Sequence, residues 1–117
     1  MATPVLDIYT ENKEGVTIIT LDGPVDSATF DQYKQTLDPL CKAPRIKVVL
    51  DCTKLTYINS KGIGLLASYH RNSLINFGSI HLCGLNKKIV KTMDLLGLGK
   101  RLKIFDSSDE ALAAMPK

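Results

Sequence analysis

Hydrophobic and β-branched residues concentrate in five short segments of the chain, and this pattern predicts five β-strands. Asn12, Lys13 and Glu14 separate the first two segments, which indicates an opening hairpin. Gly23 followed by Pro24 predicts the end of the second strand. The predicted strands cover residues 5–11, 15–22, 46–51, 80–83 and 102–105.

Elsewhere, apolar residues recur every three or four positions, which predicts four amphipathic helices. Side chains that accept hydrogen bonds from free helical amides stand at the expected helix starts. The first helix is predicted over 27–41, the second from about residue 63 to Gly78, the third after Asn86 and the fourth after Ser107. The apolar stripe of the second helix comprises Ile63, Leu66, Ala67, His70, Leu74 and Phe77.

These segments give the element order ββαβαβαβα and predict an α/β fold. Strand–helix–strand units place their strands in parallel, so we expect a mixed, mostly parallel sheet with an antiparallel edge, covered by helices. A chain of 117 residues fits a single domain, residues 1–117. Sites in such sheets lie beyond the carboxyl ends of the strands, which directs attention to residues 23–27 and to the polar loop predicted over 52–64.

Composition and charge exclude several functional classes. Fifteen basic and twelve acidic residues give a net charge of +3, which is weak for a nucleic-acid-binding protein, and none is predicted as a partner. No apolar run approaches the roughly 18 residues of a membrane helix, so no membrane insertion is predicted. Residues 1–4 lack the basic and apolar parts of a signal peptide, so we expect a cytoplasmic protein.

A basic cluster near the end of the chain contains a single acidic residue, Asp94, and no interleaved aromatic residues. We interpret it as a solvated helical face, with a partner-binding or phosphate-attracting patch as the alternative. The members are Lys87, Lys88, Lys91, Lys100, Arg101 and Lys103.

No motif predicts a catalytic, cofactor or metal site. Residues 62–67 fit GxGxxA, but they begin more than ten residues after Asp51, whereas a dinucleotide site needs a tight turn directly after the strand. His70 and His81 are interpreted as structural histidines, because nothing arranges either one beside a nucleophile or at metal-ligand spacing. The three cysteines lack CxxC spacing, so we expect them to be small buried side chains. They are Cys41, Cys52 and Cys83.

Ser60 is the candidate that remains, because it falls where the polar loop enters the second helix. One interpretation is an N-cap, in which the hydroxyl accepts a hydrogen bond from a free amide and contributes about 1 kcal/mol. The other is a phosphoserine, since free amides and the positive end of the helix dipole stabilise an added anion, with Lys61 as a neighbouring cation. Phosphorylation there adds about −1.5 to −2 charge without requiring a change of fold.

Several segments distributed over essentially the whole chain resemble the STAS domain family, and in particular its single-domain bacterial anti-sigma factor antagonists. These segments are LDCT at 50–53, YINSKGIGLL at 57–66, LLGL at 95–98, IF at 104–105 and EAL at 110–112. The independently predicted element order agrees with that family's fold.

The resemblance implies a protein-binding switch and not an enzyme. In that family the unphosphorylated antagonist binds an anti-sigma factor, usually also a serine kinase, and thereby frees a sigma factor for transcription. The kinase phosphorylates the first serine of an Asp-Ser-[Ser/Thr]-Gly-[Leu/Ile]-Gly pattern and breaks the complex, and a phosphatase restores it. That serine matches Ser60.

The chain departs from this pattern at two positions that flank Ser60. Asn59 stands in place of the usual aspartate and Lys61 in place of the second hydroxyl residue, which makes the surroundings more positive. These departures motivate an alternative: a STAS domain that serves as an unphosphorylated scaffold subunit of a transporter or a stressosome-like complex.

The resemblance also implies a set of partner-binding residues: Asp26, Asn59, Lys61, Gly62 and Ile63. Asp26 matches an acidic position near the phosphorylation site, although it fits an ordinary helix cap equally well. Ile63 matches an apolar partner-facing position. Leu65 and Tyr69 lie four residues apart and off the predicted buried stripe, so they are candidates to extend that surface.

Overall fold

The computed structural model describes residues 5–116, and within them the predicted element order ββαβαβαβα is confirmed. The strands are β1 (Asp7–Lys13), β2 (Val16–Val25), β3 (Lys47–Ile58), β4 (Ser79–Cys83) and β5 (Lys103–Phe105). The helices are α1 (Phe30–Cys41), α2 (Ser60–Ile75), α3 (Lys87–Leu95) and α4 (Ser108–Ala113). The expectation drawn from residues 1–4 lies outside the described part of the chain.

The five strands form one sheet in the order β1-β2-β3-β4-β5, and the predicted mixed, mostly parallel arrangement is confirmed. β1 pairs antiparallel with β2, and every other neighbouring pair is parallel. The hairpin turn lies at Glu14 and Gly15, whose φ angles of 53° and 83° are the left-handed backbone conformations that a tight two-residue connection needs.

The two faces of the sheet are covered unequally. Val48 and Leu50 on β3 join a large core cluster that includes residues of α1, α2 and α3, whereas Val49 between them joins a smaller cluster with α4. Successive strand side chains point to opposite faces, so α4 lies on the face opposite the other three helices. The central strands are therefore buried on both sides, as their near-continuous apolar sequence predicts.

Two predicted chain boundaries are wrong at the carboxyl edge of the sheet. β2 does not end at Gly23 and Pro24 but continues to Val25, and β3 continues through the predicted loop to Ile58. The extensions pair with each other, with register shifts that absorb the glycine and proline. A Cβ at Gly23 would overlap the carbonyl oxygen of Val5, so this glycine is needed for close approach of the preceding chain.

The buried face of α2 differs from the predicted stripe. It comprises Gly62, Ile63, Leu66, Tyr69, His70 and Ser73. Leu74 and Phe77 were expected inside but are 55% and 85% exposed. The helix ends at Ile75, and Phe77 takes a left-handed φ of 61°, which carries its side chain out of the helical pattern.

Several smaller predictions are confirmed. Asn86 and Ser107 are the N-caps of α3 and α4, each accepting a hydrogen bond from a first-turn amide. All three cysteines are buried thiols, and burial raises the pKa of Cys83 to about 11. Each lysine and arginine of the basic cluster is exposed, which fits a solvated face and a binding patch equally well. The predicted start of α1 at residue 27 is wrong by three residues, because the helix begins at Phe30.

His81 has the structural role predicted for it. Its Nδ1 pairs with the carbonyl oxygen of Ala111 at 2.8 Å and its Nε2 with the hydroxyl of Ser79 at 3.1 Å, which ties β4 to α4. His70 is also buried, at 8% exposure. Burial lowers the pKa of both histidines below the ordinary value, and the nearby charge of Lys103 lowers both further.

These lowered pKa values predict a loss of stability in weak acid. In the unfolded chain both histidines regain a pKa of about 6.5, so below that pH the unfolded state binds more protons than the folded state. The free energy of unfolding then falls as pH decreases, by at most about 1.4 kcal/mol per pH unit for each histidine. Urea unfolding between pH 7.5 and 5.5 measures this slope, and His70→Gln should reduce it. A free energy of unfolding that rises toward pH 5.5 would contradict the assignment.

Within residues 5–116, no helix is long and apolar enough to cross a bilayer. The same residues contain no group of three or more metal-ligating side chains placed to hold an ion.

Candidate functional site

Ser60 is the first residue of α2 and its side chain is exposed. β3 ends at Ile58, and the extended backbone of Asn59 connects that strand to the helix. No hydrogen bond to the Ser60 hydroxyl is found among the described residues. The hydroxyl therefore stands in solvent at the positive end of the α2 dipole, where an added anion is stabilised.

Asn59, and not Ser60, caps this helix. The Asn59 side-chain oxygen accepts a hydrogen bond from the Gly62 amide at 2.8 Å, and its backbone carbonyl accepts one from Ile63 at 3.0 Å. The N-cap interpretation of Ser60 is therefore wrong, because the cap position is already occupied by the preceding residue. Asparagine caps helices about as well as the aspartate usual in the family.

Removal of this cap should weaken the fold measurably. We expect Asn59→Ala to lower the free energy of unfolding by about 1 kcal/mol, because the Gly62 amide loses its acceptor. Asn59→Asp should retain the stability, since a carboxylate also caps and interacts favourably with the dipole. Urea unfolding of both variants measures the difference. Equal stabilities of the alanine and aspartate variants would show that the cap contributes nothing.

Asp26 lies beside Asn59 because β2 and β3 are parallel and end together. Val25 pairs with Ile58, and the Asn59 amide donates to the Val25 carbonyl at 2.9 Å. The two loops predicted to form a site therefore meet at one edge of the sheet, as their positions after parallel strands indicate.

The Asp26 carboxylate also has a local structural role. Its Oδ1 accepts hydrogen bonds from the amides of Ala28 at 3.0 Å and Thr29 at 3.1 Å. The Thr29 hydroxyl in turn donates to the Pro24 carbonyl at 2.8 Å. Asp26 thus holds the turn that leads into α1, so the capping interpretation of Asp26 has a basis in the structure.

Gly62 packs directly beneath the start of α2. A Cβ at this position would lie 2.8 Å from Ile58 Cγ1 and 2.9 Å from Val25 Cγ1, which is too close for either methylene or methyl group to remain in place. The Gly62 carbonyl accepts a hydrogen bond from the Tyr33 hydroxyl at 3.0 Å. Strands β2 and β3 and helix α1 therefore fix the first turn of α2 that carries Ser60.

Ile63 and Tyr69 do not contribute to a docking surface. Both side chains are fully buried, and Ile63 belongs to the main core cluster. The Tyr69 hydroxyl donates to the carboxylate of Asp38 on α1, which joins the two helices. Assigning Ile63 a partner-facing position is therefore wrong, and its burial agrees with its place on the predicted apolar stripe. The extension through Tyr69 is also wrong, because the buried face of α2 is rotated relative to that stripe. Leu65 remains half-buried.

Lys61 is exposed, and its ammonium group lies over the ring of Phe30, 4.3 Å from the ring centroid. Such a cation–π contact contributes about 0.5–1 kcal/mol at a surface site. The contact directs the Lys61 side chain toward the start of α1. Lys61 is also the residue that follows Ser60 in the sequence. The periodicity of α1 marks Phe30 only as a core residue and gives no sign of this contact.

Two further surface features next to Ser60 were missed by the sequence analysis. Gly64 is exposed and a Cβ there would meet nothing within 4 Å, so packing does not require this glycine. Tyr57 is 54% exposed and lines a groove of about 250 Å³ between the end of β3 and the start of α3. Tyr57 lies in the predicted loop, and only the extension of β3 places it beside α3.

An α/β domain with a mixed sheet and an exposed serine at the first turn of α2 is thus defined by the structure. A model of the STAS domain family matches residues 7–111, and the chain belongs to that family. The family resemblance drawn from the sequence is confirmed.

Comparison with individual proteins finds relatives along nearly the full chain. The anti-sigma F factor antagonist of Paenibacillus polymyxa is 29% identical over 113 residues, covering 94% of this chain and 95% of that protein. An anti-sigma factor antagonist from Mycobacterium paratuberculosis superposes with a TM-score of 0.82 at 20% identity, covering 94% and 93% of the two chains. The Bacillus cell fate determinant SpoIIAA in its phosphorylated form gives a TM-score of 0.67 at 18% identity, covering 92% and 97%. The two structures show a shared fold.

Proposed function

We propose that this chain is an anti-sigma factor antagonist whose binding to an anti-sigma factor is switched off by phosphorylation of Ser60. The observation that carries the proposal is the exposed Ser60 hydroxyl at the first turn of α2, with the capping role taken by Asn59. The relative from Paenibacillus polymyxa that bears this name covers 94% of the chain, which supports the same function here. A phosphorylated form of SpoIIAA, which shares the fold, supports the type of switch.

The chemistry assigns different parts to the two proteins. The chain supplies the Ser60 oxygen, which attacks the γ-phosphorus of ATP as the bond to the leaving ADP breaks. The partner kinase supplies ATP, Mg²⁺ and the base that takes the hydroxyl proton. A phosphatase later hydrolyses the serine phosphate and restores the neutral hydroxyl. In this cycle, which we place in the cytoplasm with the transcription machinery, the chain is a substrate and binding protein and not a catalyst.

The phosphate changes the surface while the fold beneath it remains intact. Ser60 is exposed, so three additional oxygens enter solvent and displace no core group. The helix dipole and the Lys61 ammonium both favour the added charge of about −1.5 to −2. A partner surface that fits the neutral serine must then bury a dianion, which weakens the complex.

The docking surface that we propose surrounds Ser60 on three sides. Asp26 and Asn59 lie on the side of the β2 and β3 ends, and Lys61 lies on the side of α1. Gly64, one turn along the exposed side of α2, lets another backbone approach closely because it has no side chain. Gly62 contributes only by positioning this turn, and Ile63 lies in the core beneath it.

A binding experiment with the anti-sigma factor of the same organism tests this function. We expect the unphosphorylated chain to bind in calorimetry and to release the sigma factor from a preformed complex in size-exclusion chromatography. The phosphorylated chain should do neither. If the unmodified chain fails to release any sigma factor, and copies purified from cells carry no phosphate and co-purify with a membrane transporter, the scaffold function replaces this proposal.

A further inference from the structure

A groove lies between α2 and the segment that connects α3 to β5, and the proposed function leaves it unused. Its volume is about 270 Å³, which corresponds to about nine water molecules at about 30 Å³ each. It is lined by Ala67, His70, Arg71, Leu74, Leu98, Arg101 and Leu102. The residues of α2 that line it begin at Ala67 and end at Leu74, seven to fourteen residues from Ser60, or about 10 to 21 Å at about 1.5 Å per residue. The groove is therefore separate from the phosphorylation site.

The lining combines an apolar surface with positive charge. Leu74, Leu98 and Leu102 supply the apolar part, and Leu74 is 55% exposed although it is a large hydrophobic residue. Arg71 and Arg101 supply two guanidinium groups, and the lining contains no acidic residue. Guanidinium groups pair well with carboxylates because their donors match the two oxygens.

His70 forms part of the inner wall of the groove. His70 lines the groove at 8% exposure, and its Nδ1 makes no hydrogen bond within residues 5–116. Buried polar atoms in folded proteins are nearly always paired, with protein, water or ligand. The Nδ1 atom is itself closed off from the groove, so the assignment of a ligand rests on the side chains that line the groove and not on this atom.

We propose that the groove binds a single-chain carboxylate, with its apolar chain against the three leucines and its head group paired with Arg71 and Arg101. The small volume selects one short chain and a compact head group. The size of the groove, its exposed apolar surface and its two guanidinium groups carry this assignment. The site is separate from Ser60, so ligand binding does not depend on the phosphorylation state.

Titration of the full chain with decanoate below its micelle concentration, followed by amide chemical shifts, tests this site. We expect saturable shifts confined to the segments around residues 67–74 and 98–102. Arg71→Gln combined with Arg101→Gln should weaken binding at least tenfold. Lys13→Gln combined with Lys54→Gln removes the same charge from exposed positions outside the groove and should leave the affinity unchanged.

Further measurements distinguish the contribution of the head group from that of the apolar contact, and a free ligand from a lipid surface. Decanol and decyltrimethylammonium share the chain but lack the negative charge, and both should bind at least tenfold more weakly. Ala67→Leu should reduce binding by filling the groove, whereas Ser60→Asp should leave it unchanged. The proposal is wrong if the cationic probe binds equally well, if the arginine variant retains its affinity, or if the chain binds only vesicles of anionic lipid.

Discussion

Replacement of Ser60 by alanine is expected to abolish phosphorylation of this chain, while alanine at Ser68 leaves it intact. Both serines are exposed on α2, but only Ser60 stands at the first turn, where the dipole and Lys61 favour the phosphate. Intact-mass measurement after incubation with the partner kinase and ATP should show one added phosphate for the natural chain and for Ser68→Ala. Equal labelling of Ser60→Ala would place the modification elsewhere.

A charged substitution at the same position should separate partner binding from folding. Ser60→Asp is expected to weaken binding of the anti-sigma factor at least tenfold, or about 1.4 kcal/mol, because a buried interface must accommodate an anion. The free energy of unfolding should stay level or rise by about 0.3–1 kcal/mol through interaction with the helix dipole. Ser68→Asp adds the same charge in mid-helix, outside the proposed docking surface, and should retain binding. Unfolding of the Ser60→Asp domain would contradict the exposed placement of this side chain.

The two glycines of α2 offer a second experiment with a large expected difference. Gly62→Ala forces a methyl group against Ile58 and Val25, and overpacking of this kind costs about 1–3 kcal/mol. Gly64→Ala places the same group in open space, so it should stabilise the helix by about 0.5–1 kcal/mol. The gain in helix propensity is common to both variants, and their difference in urea unfolding therefore isolates the packing contact. Similar stabilities of the two variants would mean that Gly62 does not lie between the strands.

The same pair of variants distinguishes a structural from a docking role. Gly64→Ala is expected to weaken partner binding although it strengthens the fold, because a methyl group holds another backbone away from α2. If binding is unchanged, Gly64 lies outside the interface, and the proposed surface is limited to the side of Asp26, Asn59 and Lys61.

Some parts of the candidate site could be predicted because they depend on local sequence or on strand direction. Sites in such sheets lie beyond the carboxyl ends of the strands, which directed attention to the loops containing Asp26 and Ser60. The parallel pairing of β2 with β3 brings those two loops together. Capping by Asn86 and Ser107 follows from side chains that reach amides three residues ahead. The same rule applies at α2. There several polar residues, Asn59 and Ser60 among them, follow one another, and their spacing did not reveal which one precedes the first residue of the helix.

Other parts depend on contacts between distant segments. Tyr69 is buried, and Leu74 and Phe77 are exposed, because α1 and the sheet meet α2 on a face rotated from the predicted stripe. Tyr69 is drawn inward by a hydrogen bond to Asp38, 31 residues earlier in the chain. Periodicity averages the hydrophobicity of one helix and contains no information about such a partner.

By itself, the sequence determined the order of strands and helices and the family to which the chain belongs, and it singled out Ser60 as the candidate for modification. Those features follow from hydrophobic spacing and from a short motif, both of which are local. Only the tertiary structure decided that Asn59 is the cap, that β3 reaches Ile58, that Tyr69 lies inside and that a basic groove forms beside His70. Each of these depends on packing between segments far apart in the chain, where one element limits the length and rotation of another.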